Sequence, residues 1–346
     1  MAPPIRTALL GFGLSGRVFH GPLIAHDPAF SLDVIVTGNP ERAASARRLH
    51  PTAEVVGTAA EALARDLDLV VIGTPPGSHF SLAEAAIDRG LAVVVDKPFV
   101  PTGREAEALI ASARAAGTAL TVYQNRRWDA DFLTLRQLIE AGELGQVHTF
   151  ESRFERWKPE GLRSWKGDTA LAAGGGILAD LGSHLIDQAL QLFGPVRTVH
   201  GETTRHAGTG EADDDAFVSL LHESGVRSRL SANLISAVPS PRFRVLGSAA
   251  GYVKWGLDSQ ERALGEGVSP GDPQYGVEPE EAWGTLGTPE GTRPVPAVRG
   301  AYPEFYRLLG EALTGGGPLP VDPEESLAVI RVIEEVHRQN RAAREH

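Results

Sequence analysis

The sequence predicts an α/β protein whose N-terminal part is a doubly wound parallel sheet and whose C-terminal part is an α+β domain with an open, mostly antiparallel sheet. Three observations predict it. An apolar run at Ile5–Leu10 ends in glycines and leads into a helical stretch. Apolar runs then alternate with helical stretches as far as Tyr123, the pattern of a parallel sheet covered on both faces. From about His148 the apolar residues alternate with period two and few helices intervene, as half-buried strands require. A chain of 346 residues is long enough for two such domains. They are placed at 1–124 and 125–346, with the helical stretches in 303–341 able to pack back on the first.

After the first strand, Gly11-Phe12-Gly13-Leu14-Ser15-Gly16 fits the G-x-G-x-x-G pattern, with a helix from about Arg17. Gly11 permits a tight turn, Gly13 lets a pyrophosphate approach the backbone, and Gly16 lets helix pack on strand. The helix start offers free N–H groups to the phosphates. A glycine turn that only links strand to helix is the alternative, and the elements that follow weigh against it. Further strands are predicted at Leu32–Thr37, Leu67–Gly73, Ala92–Val95 and Ala119–Tyr123, with helices at Pro40–Leu49, Ser78–Arg89 and Gly103–Ala116. Ligands bind such a sheet at the carboxyl ends of its strands. Those ends carry Thr37–Asn39, Thr74-Pro75-Pro76 and Asp96-Lys97-Pro98. The expectation is a Rossmann dinucleotide-binding domain.

The tip of the second strand reads Val36-Thr37-Gly38-Asn39-Pro40-Glu41-Arg42 and lacks the carboxylate that usually bonds the ribose of NAD. Thr37 and Asn39 can donate hydrogen bonds to a 2′-phosphate and Arg42 can supply charge. NADP is the expected cofactor, with NAD as the alternative because Glu41 is near and Arg42 also reads as a solvated helix residue.

Two segments make the prediction more specific: Val93-Val94-Val95-Asp96-Lys97-Pro98-Phe99, and Gly174-Gly175-Gly176 leading through Asp180 and His184 to Asp187. With the glycine loop and Phe19-His20, they resemble the signature set of the Gfo/Idh/MocA oxidoreductases, over essentially the whole chain. Asn125 to Leu133 and Tyr252 to Asp258 are similar to the branch of the NADP-type scyllo-inositol dehydrogenases. One departure is Asp96, where members often have Glu before the Lys-Pro pair.

The resemblance implies reversible hydride transfer between a nicotinamide and a secondary alcohol of a sugar or cyclitol. Lys97, at a strand end, orients the substrate hydroxyl and stabilises the developing alkoxide; pairing with Asp96 to fix a turn is the alternative. His184 is implied as proton acceptor, with Asp180 as its partner or a substrate contact. A spacing of four puts Asp180 and His184 on one face of a helix. Thr74, Pro75 and His79 are expected to line the cofactor, although His79, like His20, reads equally as packing. Substrate contacts are assigned to Lys97, Asn125, Arg127, Trp165, Asp180 and His184, while Trp128 and Trp157 read as core and Asp187 as secondary. No third ligand stands out beside Asp180 and His184, so no metal is expected.

In the second domain, strands are predicted at Val147–Phe154, Arg197–Thr203, Asp215–His222, Val226–Leu234, Arg242–Gly247 and Tyr252–Trp255. The helix carrying Asp180 and His184 is expected on one face, and the other face is expected to form a homodimer or homotetramer, as the family commonly does. Gly265–Pro296 reads as loops, and Asp213–Asp215 as a solvated turn. The net charge of −11 excludes a general nucleic-acid binder. No apolar run approaches membrane-spanning length, no signal peptide is read, and cysteine is absent; a cytoplasmic enzyme is expected. A non-catalytic dinucleotide sensor is the alternative from a different class.

Overall fold

A computed structural model describes residues 3–160, 169–207 and 210–344. The chain forms two compact units: Met1–Asn125 with Gln260–Tyr275 and Ala301–Leu327, and Arg126–Ser259 with Gly276–Gly300 and Ala328–His346.

The first unit holds six parallel strands: β1 (Ile5–Leu10), β2 (Phe30–Val36), β3 (Glu54–Val56), β4 (Leu69–Ile72), β5 (Ala92–Asp96) and β6 (Leu120–Tyr123). Their order, β3-β2-β1-β4-β5-β6, reverses between β1 and β4. That reversal opens the crevice in which doubly wound sheets take their ligands. Helices α1 (Gly21–His26), α2 (Pro40–Leu49), α3 (Ala59–Leu63), α4 (His79–Ile87) and α5 (Gly103–Ala116) connect the strands. Capping boxes start two of them, Thr58 with Glu61 and Thr102 with Glu105. Every residue of β4 is buried, as a central parallel strand requires.

The second unit holds an eight-stranded sheet ordered β14-β13-β12-β11-β7-β10-β9-β8. Its strands are β7 (Val147–Glu155), β8 (Val196–Thr204), β9 (Asp215–His222), β10 (Arg227–Asn233), β11 (Phe243–Gly247), β12 (Gly251–Lys254), β13 (Gly284–Thr288) and β14 (Gly291–Val295). All neighbours are antiparallel except β7 and β10. Helix α6 (Ala130–Glu140) precedes the sheet, and α7 (Ser183–Phe193) covers its apolar face. Ile177, Leu181, Leu185, Ile186 and Phe193 pack there with Phe150, Leu220, Leu230 and Phe243. On the opposite face Glu151 gathers Arg153, Arg229 and Arg244.

Three late helices complete the chain: α8 (Gln260–Gly265), α9 (Pro303–Gly315) and α10 (Pro323–Arg344). In the first unit, Tyr306 of α9 packs edge-on against Phe30 and its hydroxyl lies 2.7 Å from His20 Nδ1. Among the described residues no helix is long and apolar enough to cross a membrane.

Three expectations are corrected. The loop excursion 265–296 contains the β13–β14 hairpin, with Pro294 on an edge strand, where a missing N–H is tolerated. Asp213 and Asp214 are buried, not solvated: Asp214 accepts the N–H groups of His206 and Ala207. Trp128 is buried, but Trp157 is 58% exposed.

Candidate functional site

The glycine loop lies at the sheet's switch point. Gly11 has a φ of +98°, and a Cβ there would meet the Gly73 carbonyl oxygen at 2.8 Å; one on Gly16 would meet the Gly11 carbonyl oxygen at 2.0 Å. Only glycine suits either place. The segment after the loop is a π-turn, Ser15–His20, which passes into α1. Phe12 is buried edge-on against His50, whereas Leu14 is exposed. Ser15 Oγ is buried with no hydrogen-bond partner among the described residues. An orphaned hydroxyl beside open backbone fits a phosphate-bearing ligand.

Beyond it, Phe12, Gly13, Leu14, Arg17, Glu41, Arg42 and Ser45 line a cavity of about 350 Å³. Asn39 Oδ1 caps α2 by accepting the Arg42 N–H at 2.9 Å, and the Asn39 N–H is 3.4 Å from Thr37 Oγ1. An ideal Cβ on Gly13 would lie 3.9 Å from Arg42 Nη1, so this guanidinium reaches the glycine loop. At this cavity Arg17 is a lining residue that the sequence reading does not assign to the cofactor. Its signal was a cation directly after the last motif glycine.

At the ends of β4 and β5, Asp96 Oδ1 accepts the Lys97 N–H at 2.8 Å, and the Lys97–Pro98 peptide is cis. Lys97 is half-buried. His79 is fully buried, with Nε2 2.8 Å from the Thr74 carbonyl oxygen and Nδ1 3.0 Å from that of Phe99. It ties the two loops together. Thr74 Oγ1 bonds Ser78 Oγ at 2.7 Å, and Pro75 is exposed. Burial pushes the His20 imidazole down to about 4, so it is neutral near pH 7. Asn125, at the edge of this unit, is 5% exposed.

In the second unit Asp180 does not sit on an α-helix. It lies half-buried in a second π-turn, Leu178–Gly182, and His184 follows in the first turn of α7, 3% exposed. Single π-turns within helices occur often at functional sites. The His184 ring lies 6.2 Å from that of Phe154, on whose face the Arg242 guanidinium sits at 4.3 Å. Arg127 grips Asp187 through two bonds, Nε to Oδ2 at 2.8 Å and Nη2 to Oδ1 at 2.5 Å. Gln188 donates to the Arg126 carbonyl and accepts from Arg242 Nη2 at 2.7 Å. Arg127 thus holds α7 in place. The sequence reading gives Asp187 only a secondary role and does not single out Gln188 or Arg242, because their partners lie far off in sequence. Trp165 lies outside the described residues.

Residues 5–124 match the oxidoreductase family's NAD-binding Rossmann fold, and residues 132–253 match the GFO/IDH/MocA C-terminal domain. A Bacillus subtilis protein, scyllo-inositol 2-dehydrogenase (NADP(+)) IolW, is 37% identical over 95% of this chain and 92% of its own. The chain belongs to the Gfo/Idh/MocA oxidoreductase family. The Escherichia coli oxidoreductase YdgJ is 39% identical, over 96% of each chain. Among solved structures, the Bacillus subtilis oxidoreductase yvaA superposes with a TM-score of 0.92 at 35% identity, over 99% of this chain and 98% of its own. As a Gfo/Idh/MocA member the protein is an oxidoreductase that binds a nicotinamide dinucleotide.

Proposed function

We propose that this oxidoreductase interconverts a secondary alcohol and ketone of a cyclitol or sugar with NADP, and that scyllo-inositol is its substrate. The presence of Lys97, Asp180 and His184 in one chain carries the reading. A bound nicotinamide supplies the hydride acceptor. Lys97 donates a hydrogen bond to the substrate oxygen and stabilises charge as it develops there. His184 takes the hydroxyl proton and Asp180 orients substrate or imidazole. In ketone reduction the same groups work in reverse.

NADP is favoured by the absence of a carboxylate at the β2 tip and by Arg17, Arg42 and Ser45 around one cavity. The Bacillus subtilis relative named as an NADP-type scyllo-inositol dehydrogenase supports both cofactor and substrate. Glu41, lining the same cavity, favours NAD as the second reading. Assembly through the sheet face that carries Glu151, Arg229 and Arg244 belongs to the same reading. Turnover of scyllo-inositol, myo-inositol and a sugar panel with each nicotinamide tests the assignment; sugar oxidation with NAD alone would replace it by the second reading.

A further inference from the structure

The approach to the second π-turn is fixed by one buried side chain outside the motif. Asp213, 3% exposed, stands two residues before β9. Its Oδ2 accepts the Leu178 N–H at 2.8 Å, and its carbonyl oxygen accepts the Ile177 N–H at 2.8 Å. These donors stand at the start of the turn that carries Asp180, where a helical segment leaves N–H groups unsatisfied. A carboxylate there also meets the positive end of the helix dipole.

Gly176 lies flat against the same side chain. Its φ is +92°, and a Cβ there would come within 2.2 Å of Asp213 Oδ1. Glycine is thus needed to let the Asp213 carboxylate reach the Leu178 N–H while the Asp213 carbonyl takes that of Ile177. The Asp180 N–H then bonds the Gly176 carbonyl at 3.1 Å, linking the anchored residue directly to the site aspartate. His184 follows on the next turn.

We propose, resting on the catalytic roles given to Asp180 and His184 under the proposed function, that Asp213 is a positioning residue for the reaction: it acts through Ile177 and Leu178 to hold the turn that presents those two side chains. Asp213 itself touches no reacting atom. Displacing a catalytic group by about 1 Å costs on the order of 100-fold in rate, so the anchor is read in kcat.

The test compares Asp213→Ala, Asp213→Asn and Gly176→Ala with His184→Ala. Readouts are kcat, KM for each substrate, NADPH binding by fluorescence, and hydrogen exchange over 174–186. Asp213→Ala should lower kcat by about 10- to 100-fold, leave NADPH affinity unchanged, and speed exchange at Leu178. Asp213→Asn keeps an oxygen that accepts the Leu178 N–H, so it should restore most of kcat and of the protection. If Asp213→Ala does not fold, Gly176→Ala presses on the same contact from the other side and should lose kcat with NADPH binding intact. A folded Asp213→Ala or Gly176→Ala with wild-type kcat, beside an inactive His184→Ala, overturns the positioning role alone. An active His184→Ala overturns the catalytic reading and this role with it.

Discussion

Arg127 and Asp187 stand 60 positions apart in the sequence and meet in a buried two-bonded ion pair, with side chains 8% and 3% exposed. Asp187 lies on α7, three residues after His184. The pair therefore fixes the helix that carries the proposed proton acceptor. Removing one member breaks both bonds of a buried charge pair, which costs about 3–5 kcal/mol. Arg127→Ala and Asp187→Ala should each lower the urea midpoint accordingly, and the double variant Arg127→Met/Asp187→Leu should recover most of the loss. Single variants as stable as wild type would remove the pair from any structural role.

The cavity beside the glycine loop makes a cofactor prediction. Charge-assisted hydrogen bonds contribute about 1.5–3 kcal/mol, so Arg17→Ala and Arg42→Ala should each raise KM for NADP by about 10- to 100-fold. KM for NAD should hardly change. Thr37→Asp, which places a carboxylate where a 2′-phosphate is proposed, should turn the preference towards NAD. Equal effects on both cofactors would show that these cations bind no 2′-phosphate.

A pH dependence follows from a second buried pair. Burial pushes the Asp213 carboxyl up to about 6, against the Leu178 N–H that it accepts, and pushes the His337 imidazole down to about 4. His337 Nε2 lies 4.0 Å from Asp213 Oδ1. For Asp213 the unfolded chain, with a pKa of about 3.9, binds fewer protons between pH 4 and 6, so its contribution to stability falls as pH rises. For His337 the unfolded chain binds more protons from about pH 4 to 6.5, so its contribution rises. The slopes oppose each other. Asp213→Asn removes the first, so its stability relative to wild type should climb from pH 4 to 6 by up to about 3 kcal/mol. Denaturant melts across that range measure it, and a constant difference at every pH would refute it.

Local signals made much of the fold legible. Helices Pro40–Leu49 and Gly103–Ala116 form over the predicted residues, because each has a clear starting residue and an unbroken run of helix formers. Strand Asp215–His222 does too, because its burial alternates without a break. The β13–β14 hairpin was not legible: its strands carry Gly, Thr and Pro, and four of the five residues of β14 are exposed. Strand β3 is three residues long, too short for any period. At the candidate site, Asp180, His184, Lys97 and the glycine loop are assigned by spacing and by resemblance, and their roles are part of the proposed function. Asp213 was misread because three adjacent carboxylates look solvated, and the two N–H groups it binds are 35 and 36 positions away.

Assembly provides a further prediction. The sheet face bearing Glu151, Arg153, Arg229 and Arg244 is proposed to join copies of the chain. Sedimentation at rising protein concentration should show a dimer or tetramer, and Arg229→Glu/Arg244→Glu should shift it towards monomer. A monomer at every concentration would set that proposal aside.

The central claim, hydride exchange between a polyol and NADP through Lys97 and His184, is tested most directly by one assay. Purified wild type, Lys97→Ala and His184→Ala are each mixed with NADP and scyllo-inositol, and the absorbance of reduced nicotinamide is followed. The account predicts steady reduction by wild type and a loss of about 100- to 10,000-fold in each variant, with NADP binding retained. Variants that match the wild-type rate, or a wild type that binds NADP yet reduces none across the polyol panel, would contradict it.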